Sequence, residues 1–327
     1  MMVSLFSKSW LLGGLFLLFS AINARSIQLL DSAESYEFAF TRDSTRLSLV
    51  KIKPDSLSRD LLFQPEVLFW IKDIELDKDS FLVVEKRSRT VLDIISAETV
   101  LEIEKGGNLK CLGTIYQQVC FADTHAVIRF VRGRKQFFKY RAIGPKLYAG
   151  MSLFEANEVD PIYAQLLLLI ESPNNGHGVS SAGAVGNFQL MPRVARRYGL
   201  RVNRYRDDRT NFHKSAVAAA KLFKRYCIPS ARRTAESIGL VVDESSLWFK
   251  LLALHVYNAG GGNVKEAARS LKNVENGNDL IKRLWHTKYG AFGNSSQNYS
   301  QVCLASYRAY TNYFSKIKEI HITEEDI

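Results

Sequence analysis

The spacing of hydrophobic residues changes between the two halves of the chain. Residues 36–140 contain short runs rich in β-branched and aromatic residues, separated by polar turns, which is typical of strands. From residue 160 onward, apolar residues recur at helical spacing between capping residues and glycines. The composition shifts at Ile143-Gly144-Pro145. We therefore predict an α+β protein with a small strand-rich N-terminal domain, residues 25–149, and a mainly helical C-terminal domain, residues 150–327.

The N-terminal domain carries no motif that assigns it a function. Its strand-like runs are YEFAF, RLSLVKI, VLFWIK, FLVVE, AVIRFV and QFFKY. Residues 91–105 have a mixed periodicity that fits either a helix or a paired strand. There is no internal repeat, and we expect this domain to position or restrict the C-terminal one.

The C-terminal domain shows repeated helix signals. The predicted helices cover residues 160–170, 188–200, 211–226, 245–262, 264–272, 278–286 and 297–318. Pro161 follows a capping Asp160 and suits the first helical position, whereas Pro192 is tolerated only in a first turn or at a kink. The run Leu166–Ile170 is apolar on every side, so we expect that helix to be buried.

Residues 1–24 have the order of a secretory signal peptide. Lys8 precedes an apolar run, Trp10–Phe19, and small or neutral residues lead up to Ala24. The run is shorter than the roughly 20 residues that a spanning helix needs. We predict export across the inner membrane to the periplasm or cell wall, with no stable span after cleavage. An uncleaved N-terminal anchor is the alternative.

The overall composition is that of an ordinary globular protein. Hydrophobic residues make up 46% of the 327 positions and charged residues 24%, which excludes a disordered, collagenous or disulfide-dense chain. The formal net charge is +11. In an exported protein, a basic balance favours acidic polymers outside the cytoplasm, such as wall glycan with its lactyl and peptide carboxylates. No nucleic-acid-binding motif occurs, so a nucleic-acid partner is not expected.

The four cysteines leave two interpretations open. Cys111 and Cys120 are spaced to staple a short hairpin, and Cys227 and Cys303 fall on two predicted helices. Pairing within each half and free buried thiols both fit an exported protein.

The six histidines are scattered, and no CxxC or HxxxH spacing occurs. We therefore expect neither a metal nor a cofactor. His255 lies in an apolar helix and is predicted to be a core residue rather than a ligand. His177 sits in a Gly/Asn loop from which it could reach a substrate.

Glu171 is the strongest candidate for acid–base chemistry. It follows the apolar run Leu166–Ile170, and a carboxyl group desolvated at such a helix end has a raised pKa and can act as a general acid. The next 35 residues, Ser172–Arg206, contain six arginines and no Asp or Glu. A second catalytic carboxylate would have to come from farther along the chain.

The residues around Glu171 resemble a known family. Residues 171–192 read ESPNNGHGVSSAGAVGNFQLMP, which is similar to the first motif of the bacterial lytic transglycosylases of the soluble (SLT) type. The matching residues are Glu171, Ser172, Ser180, Gly183, Ala184, Gly186, Gln189, Met191 and Pro192.

Two further motifs extend the resemblance to about residues 155–315. LALHVYNAGGGNV, residues 252–264, is similar to the family's Ala-x-x-Tyr-Asn-Ala-Gly motif. The last motif is matched weakly around Tyr299, where Ser295 replaces the usual acidic residue. Val194 also departs from the family, which often has Thr there.

The resemblance implies a lysozyme-like α fold with Glu171 as the single catalytic acid and base. The implied activity is cleavage of the β-1,4 bond between N-acetylmuramic acid and N-acetylglucosamine, with formation of 1,6-anhydromuramyl ends. The implied substrate-binding residues are Ser172, Ser180, Gln189, Met191, Tyr257, Asn258 and Tyr299. Among these, Ser172 is expected to hydrogen-bond Glu171 or the substrate. Tyr257 and Asn258 are expected to hold the Glu171 side chain and the acetamido group.

Two other functions remain open. A hydrolytic muramidase of the goose-lysozyme kind would use a second carboxylate to activate water, and Asp207 or Asp208 could supply it. A non-catalytic wall-binding scaffold of a secretion or other envelope machine would account for the basic N-terminal domain and the weak last motif.

Overall fold

The computed structural model describes most of the chain after residue 39. The described residues are 40–42, 45–47, 49, 52, 56–86, 89–105, 109–120, 126–135, 138–172, 178–293 and 295–325. The predicted signal peptide and His177 lie outside these ranges. Across these ranges, no helix is both long enough and apolar enough to cross a membrane.

The N-terminal part combines a three-stranded antiparallel sheet with helices. Its strands are β1 (Phe40–Arg42), β2 (Thr45–Leu47), β3 (Ser80–Glu85), β4 (Val91–Ser96) and β5 (Ile128–Arg132). Its helices are α1 (Ser56–Leu62), α2 (Pro65–Glu75), α3 (Ala97–Lys105) and α4 (Leu109–Cys120). In the sheet, β3 lies between β4 and β5, whereas β1 and β2 pair only with each other.

The predicted strand VLFWIK is wrong, because this run lies in helix α2. Pro65 occupies the first turn, where the missing N–H costs nothing. Val67, Ile71 and Ile74 are spaced at helical intervals and face the main core, whereas Phe69 packs with strand β3 in a second cluster. A helix buried on two sides thus imitates the alternation of a strand.

The other N-terminal predictions had mixed outcomes. FLVVE and AVIRFV are confirmed as strands β3 and β5, and residues 91–105 contain both a strand, β4, and a helix, α3. QFFKY is not a strand at its described end, because Tyr140 begins a helix. The first two runs are strand only over the short segments β1 and β2 within the described residues.

Cysteine pairing does not follow the hairpin hypothesis. Cys111 and Cys120 lie in one continuous helix, α4, which separates them by about 13 Å along its axis. A disulfide needs Cα atoms within about 7 Å, so the predicted hairpin staple is wrong. Cys227 and Cys303 are free, buried thiols, which confirms the second interpretation for this pair.

The C-terminal part is helical, as predicted, and the α+β fold class is confirmed. Its helices are α5 (Tyr140–Glu155), α6 (Pro161–Glu171), α7 (Pro192–Arg197), α8 (Phe212–Leu222), α9 (Ile228–Glu236), α10 (Leu247–Ala259), α11 (Gly261–Arg269), α12 (Gly277–Leu284) and α13 (Ser295–Glu325). A two-residue hairpin, β6 (Val202–Asn203) with β7 (Arg206–Asp207), follows α7. Pro161 and Pro192 both stand in a first turn.

Helix α6 forms the centre of the main hydrophobic core. Residues 166–169 are completely buried there, and helices α5 and α13 pack against α6. The same core includes residues of α2, which packs against α13. Residue 150, our predicted boundary, lies inside α5. The division into domains at residues 25–149 and 150–327 stays a prediction.

We expect Ile74→Ala to destabilise both parts of the chain together. Ile74 exposes only 1% of its surface and shares one core with Leu168, so the variant should lose about 2–5 kcal/mol of unfolding free energy. Leu101→Ala is the control, because Leu101 is exposed on α3 and should change stability by less than about 0.5 kcal/mol. Urea denaturation followed by circular dichroism and tryptophan fluorescence measures both. Two separate transitions, of which only one moves, would contradict a shared core.

Candidate active site

The carboxyl group of Glu171 lies at the C-terminal end of α6, partly shielded from solvent. The Tyr299 hydroxyl donates a hydrogen bond of 2.7 Å to its Oε1 atom. Burial raises the pKa of Glu171 from 4.5 to about 7, and the bond from Tyr299 opposes that shift. Among the residues that the structure describes, no neighbouring charge contributes to the shift. The group is therefore a lone carboxyl that exchanges its proton near neutral pH.

Tyr299 reaches Glu171 from helix α13. Its ring is buried, and burial together with the nearby charge of Glu171 raises the pKa of its hydroxyl well above the usual range. The hydroxyl therefore keeps its proton and acts as a donor. Tyr299, which the weakest motif carries, is thus the residue in direct contact with Glu171.

Tyr257 contacts the loop opposite rather than Glu171. Its hydroxyl donates to the carbonyl oxygen of Phe188 at 2.5 Å, and its ring stacks on Phe223 at 5.1 Å between centroids. Burial, and in addition the charge of Glu171, raise the pKa of the Tyr257 hydroxyl well above the usual range. The neighbouring Asn258 is exposed at the end of α10.

The loop of residues 178–190 is folded by its own polar side chains. Ser180 Oγ accepts a hydrogen bond from the amide of Ala184, and Gln189 Nε2 donates to the carbonyl oxygens of Gly178 and Gly186. Isolated bridges join residue 185 to residues 179 and 190. Ser180 and Gln189 therefore hold the loop, and a direct contact with substrate remains a prediction for both.

Gly186 is required by its surroundings. Its φ of +82° lies in the left-handed region that favours glycine. A Cβ atom there would come within 2.1 Å of the Arg209 carbonyl oxygen. The glycine at position 186 of the motif thus reflects a close backbone approach, whereas a Cβ atom at Gly183 would meet nothing within 4 Å.

Arg209 fastens this loop to the segment after the β6–β7 hairpin. Its buried guanidinium donates to the carbonyl oxygens of Gly183 and Leu190, at 2.8 and 3.0 Å, and pairs with Asp207 at 2.6 Å. Sequence reasoning missed Arg209. The only signal was its position directly after the acidic pair that ends the acid-free stretch.

The two carboxylates that follow the acid-free stretch are both engaged in ion pairs. Asp208 pairs with Arg206 and Lys214 and accepts the amide of Arg201, and these bonds hold its pKa well below the usual range. The bonds from Arg209 lower the pKa of Asp207. Both carboxylates therefore remain charged and are engaged in ion pairs.

Ser172 and Met191 occupy different environments. Ser172 is buried, and its hydroxyl donates to the Asn187 carbonyl oxygen while accepting from the Asn187 side-chain amide. This differs from the expected bond to Glu171, and it ties the end of α6 to the loop. Met191 exposes 41% of its surface at the start of α7.

Behind the site, His255 is a core residue, as predicted. It is fully buried, and its Nε2 lies 2.8 Å from Ser300 Oγ, which accepts a bond from Trp285 Nε1. Since Trp285 is the donor, the Ser300 proton is available to His255 Nε2, and this pair ties α10 to α13 beside Tyr299. Among the residues with described positions, no group of three or more His, Cys, Asp or Glu side chains could hold a metal ion.

This site defines a helical domain with one acidic residue poised for proton transfer. Residues 153–280 match the family model of the Transglycosylase SLT domain. Two curated relatives, from Escherichia coli strain K12 and Escherichia coli O6:H1, are both named membrane-bound lytic murein transglycosylase D. Each is 30% identical over 112 residues, which cover 34% of this chain and 21% of the relative.

The comparisons confirm the resemblance for residues 153–280, which match the SLT family model. The match spans about a fifth of the length of the curated relatives. The family-model match, residues 153–280, leaves the N-terminal sheet and helix α13 outside the matched segment.

We expect Glu171→Gln to gain stability relative to the wild type as the pH rises. Between pH 4.5 and about 7 the folded chain keeps the Glu171 proton that the unfolded chain loses. Because the folded state binds more protons there, Glu171 lowers the free energy of unfolding as the pH rises through this window. Urea denaturation at pH 4.5, 6, 7 and 8 measures the difference, and a difference independent of pH would contradict the raised pKa.

Proposed function

We propose that this protein is a peptidoglycan lytic transglycosylase, a carbon–oxygen lyase that acts on wall glycan. The observation that carries the proposal is the lone Glu171 carboxyl, whose pKa near 7 suits one group to act first as an acid and then as a base. The SLT domain match and the names of the curated relatives support the same reaction class.

In the first step, Glu171 donates its proton to the oxygen between N-acetylmuramic acid and N-acetylglucosamine. The C1–O bond breaks, and N-acetylglucosamine leaves with the proton. The 2-acetamido group of the muramyl residue stabilises the positive charge at C1, which is the task of a second carboxylate in other glycosidases. A single carboxyl group is then sufficient.

In the second step, the Glu171 carboxylate removes the proton from the C6 hydroxyl of the same muramyl residue. The C6 oxygen attacks C1 and closes the 1,6-anhydro ring, and Glu171 returns to its protonated form. An internal hydroxyl in position has a high effective molarity and outcompetes water in a shielded site. The hydrogen bond from Tyr299 stabilises the carboxylate between the two steps.

The ion pairs of Asp207 and Asp208 favour this reaction over hydrolysis. A hydrolytic muramidase needs a carboxylate that takes a proton from water, and a lowered pKa makes a carboxylate a weak base. Both aspartates have lowered pKa values and contact basic side chains. The goose-type alternative therefore lacks an available base among the two residues that suggested it.

The basic surface beside the site supports an acidic polymer as substrate. Arg193, Arg197, Arg201 and Arg204 are exposed, and none forms an ion pair with the described residues. They extend from α7 into the β6–β7 hairpin, directly after Met191. We propose that they attract the lactyl and peptide carboxylates of the wall, and that Met191 and Asn258 contact the glycan.

The proposed substrate lies outside the cytoplasm, so we propose that residues 1–24 direct export to the periplasm or cell wall. An association with a secretion or envelope machine stays a prediction from the sequence. If the protein were only a wall-binding scaffold, Glu171 would be dispensable for any activity.

Product analysis tests the reaction class. Purified peptidoglycan digested with the full chain should yield 1,6-anhydromuramyl ends, identified by mass spectrometry. Glu171→Gln should lower the rate by about 10²–10⁴, because it removes the proton donor. Products with ordinary reducing ends would refute anhydro-ring formation and favour hydrolysis. Cleavage unchanged in Glu171→Gln would eliminate Glu171 as the catalyst.

Activity should fall as the pH rises above about 7, and Tyr299→Phe should move that limb to higher pH. The hydrogen bond from Tyr299 lowers the pKa of Glu171, so its removal lets burial raise the pKa further. We expect kcat/KM below the limb to fall about tenfold, since the carboxylate loses a charge-assisted bond. A pH profile of kcat/KM between pH 5 and 9 measures both effects, and a limb that stays in place or moves down contradicts the assignment.

A further inference from the structure

The turn between β3 and β4 contacts the helix that carries Tyr299. Arg89 donates from Nη1 to Gln301 Oε1 and from Nη2 to Asn298 Oδ1, both at 2.5 Å. Asn298 and Gln301 stand on either side of Tyr299 in the sequence of α13. A residue of the N-terminal part thus reaches the segment that contacts Glu171.

The guanidinium of Arg89 is itself held in place. It lies over the rings of Trp70 and Phe69, at 5.5 and 6.0 Å from their centroids. Trp70 Nε1 donates to the same Gln301 oxygen at 3.0 Å. Burial lowers the pKa of Arg89, and the nearby charge of Glu66 counteracts this shift. Glu66 in turn pairs with His286 at 2.9 Å.

The backbone at Arg89 adopts a conformation that is rare for its residue type. Its φ of 58° lies in the left-handed region, which costs energy for any residue except glycine. The turn is closed by the Arg89 amide on the Glu85 carbonyl and by the Glu85 amide on the Thr90 carbonyl. The strained turn directs a long charged side chain across to α13.

Two donors of one planar group fix a helix better than a single contact does. Asn298 and Gln301 lie three positions apart and therefore share one face of α13. Tyr299 is rotated about 100° from Asn298 and faces Glu171. A guanidinium bound to both amides restrains the rotation and the axial position of the helix, and with them the position of the Tyr299 hydroxyl.

We propose that Arg89 is a positioning residue for catalysis, which clamps Asn298 and Gln301 so that Tyr299 meets Glu171. This inference rests on the proposed function for its kinetic consequence. It gives the N-terminal part a task within the site, because Arg89 lies outside residues 153–280 that match the SLT domain.

Arg89→Met in the full chain tests the clamp, because Met keeps the apolar contacts with the rings and removes both donors. We expect kcat to fall about 10- to 100-fold, since small displacements in a site have effects of this size. KM should stay within about twofold. The pKa of Glu171 should rise as it does in Tyr299→Phe. Arg89→Lys should be intermediate, because an ammonium group lacks the planar fork.

A carboxyl NMR titration of glutamate-labelled protein separates this inference from the proposed function. The Glu171 signal, assigned by its loss in Glu171→Gln, reports its pKa whether or not the chain cleaves peptidoglycan. Arg132→Met is the control, because Arg132 lies on β5 in the same sheet and contacts Phe81 and the Lys78 carbonyl. It should leave the Glu171 pKa and kcat unchanged.

Some outcomes would overturn the proposal. If Arg89→Met lowers the melting temperature while the Glu171 pKa and kcat match the wild type, Arg89 serves stability alone. If Arg89→Met fails to fold, Asn298→Ala decides, because it removes one acceptor and leaves the Arg89–Gln301 bond. A raised Glu171 pKa in Asn298→Ala supports the clamp, and an unmoved pKa rejects it.

Discussion

The site depends on a balance between burial of the Glu171 carboxyl and the hydrogen bond it accepts from Tyr299. Burial at the end of α6 favours the neutral acid, whereas the Tyr299 hydroxyl favours the carboxylate. Their opposition leaves the pKa near 7, so both protonation states are accessible. A reaction that uses one group as acid and then as base requires this balance. In the proposed reaction, the apolar helix α6 and the placement of α13 therefore contribute through their effect on this pKa.

Several polar side chains around this pair form hydrogen bonds within the protein. Arg209 binds two carbonyl groups of the 178–190 loop, and Asn187 and Ser172 bond to each other at the end of α6. Ser172 and Asn187 are neutral, and the causes of the Glu171 pKa shift are burial and the hydrogen bond from Tyr299. These hydrogen bonds hold the residues around the titrating carboxyl group in fixed positions.

The sequence predicted those features that depend on neighbouring residues along the chain. Pro161 and the apolar run before Glu171 predict a buried helix. Glu171 has a raised pKa because it lies at the buried end of that helix. Helix α2 was predicted as a strand because the hydrophobic residues of its two buried faces alternate along the sequence as they do in a strand. The partner of Glu171 was misassigned to Tyr257, since both tyrosines fit a motif and only tertiary packing decides which hydroxyl reaches the carboxyl. Arg209 and Arg89 act through contacts between distant segments, which sequence spacing does not reveal.

The proposed catalytic unit is larger than the segment that matches the SLT domain. That segment ends at residue 280, yet Tyr299 contributes the direct contact to Glu171 from beyond it. Helix α2 also packs against α13. Arg308 of α13 donates a hydrogen bond to the Leu62 carbonyl oxygen at 2.9 Å. The helix that completes the site is thus the one that binds the N-terminal part. The proposed role of Arg89 therefore predicts that a change in that part shifts the pKa of Glu171 through α13, without altering any residue of the motifs.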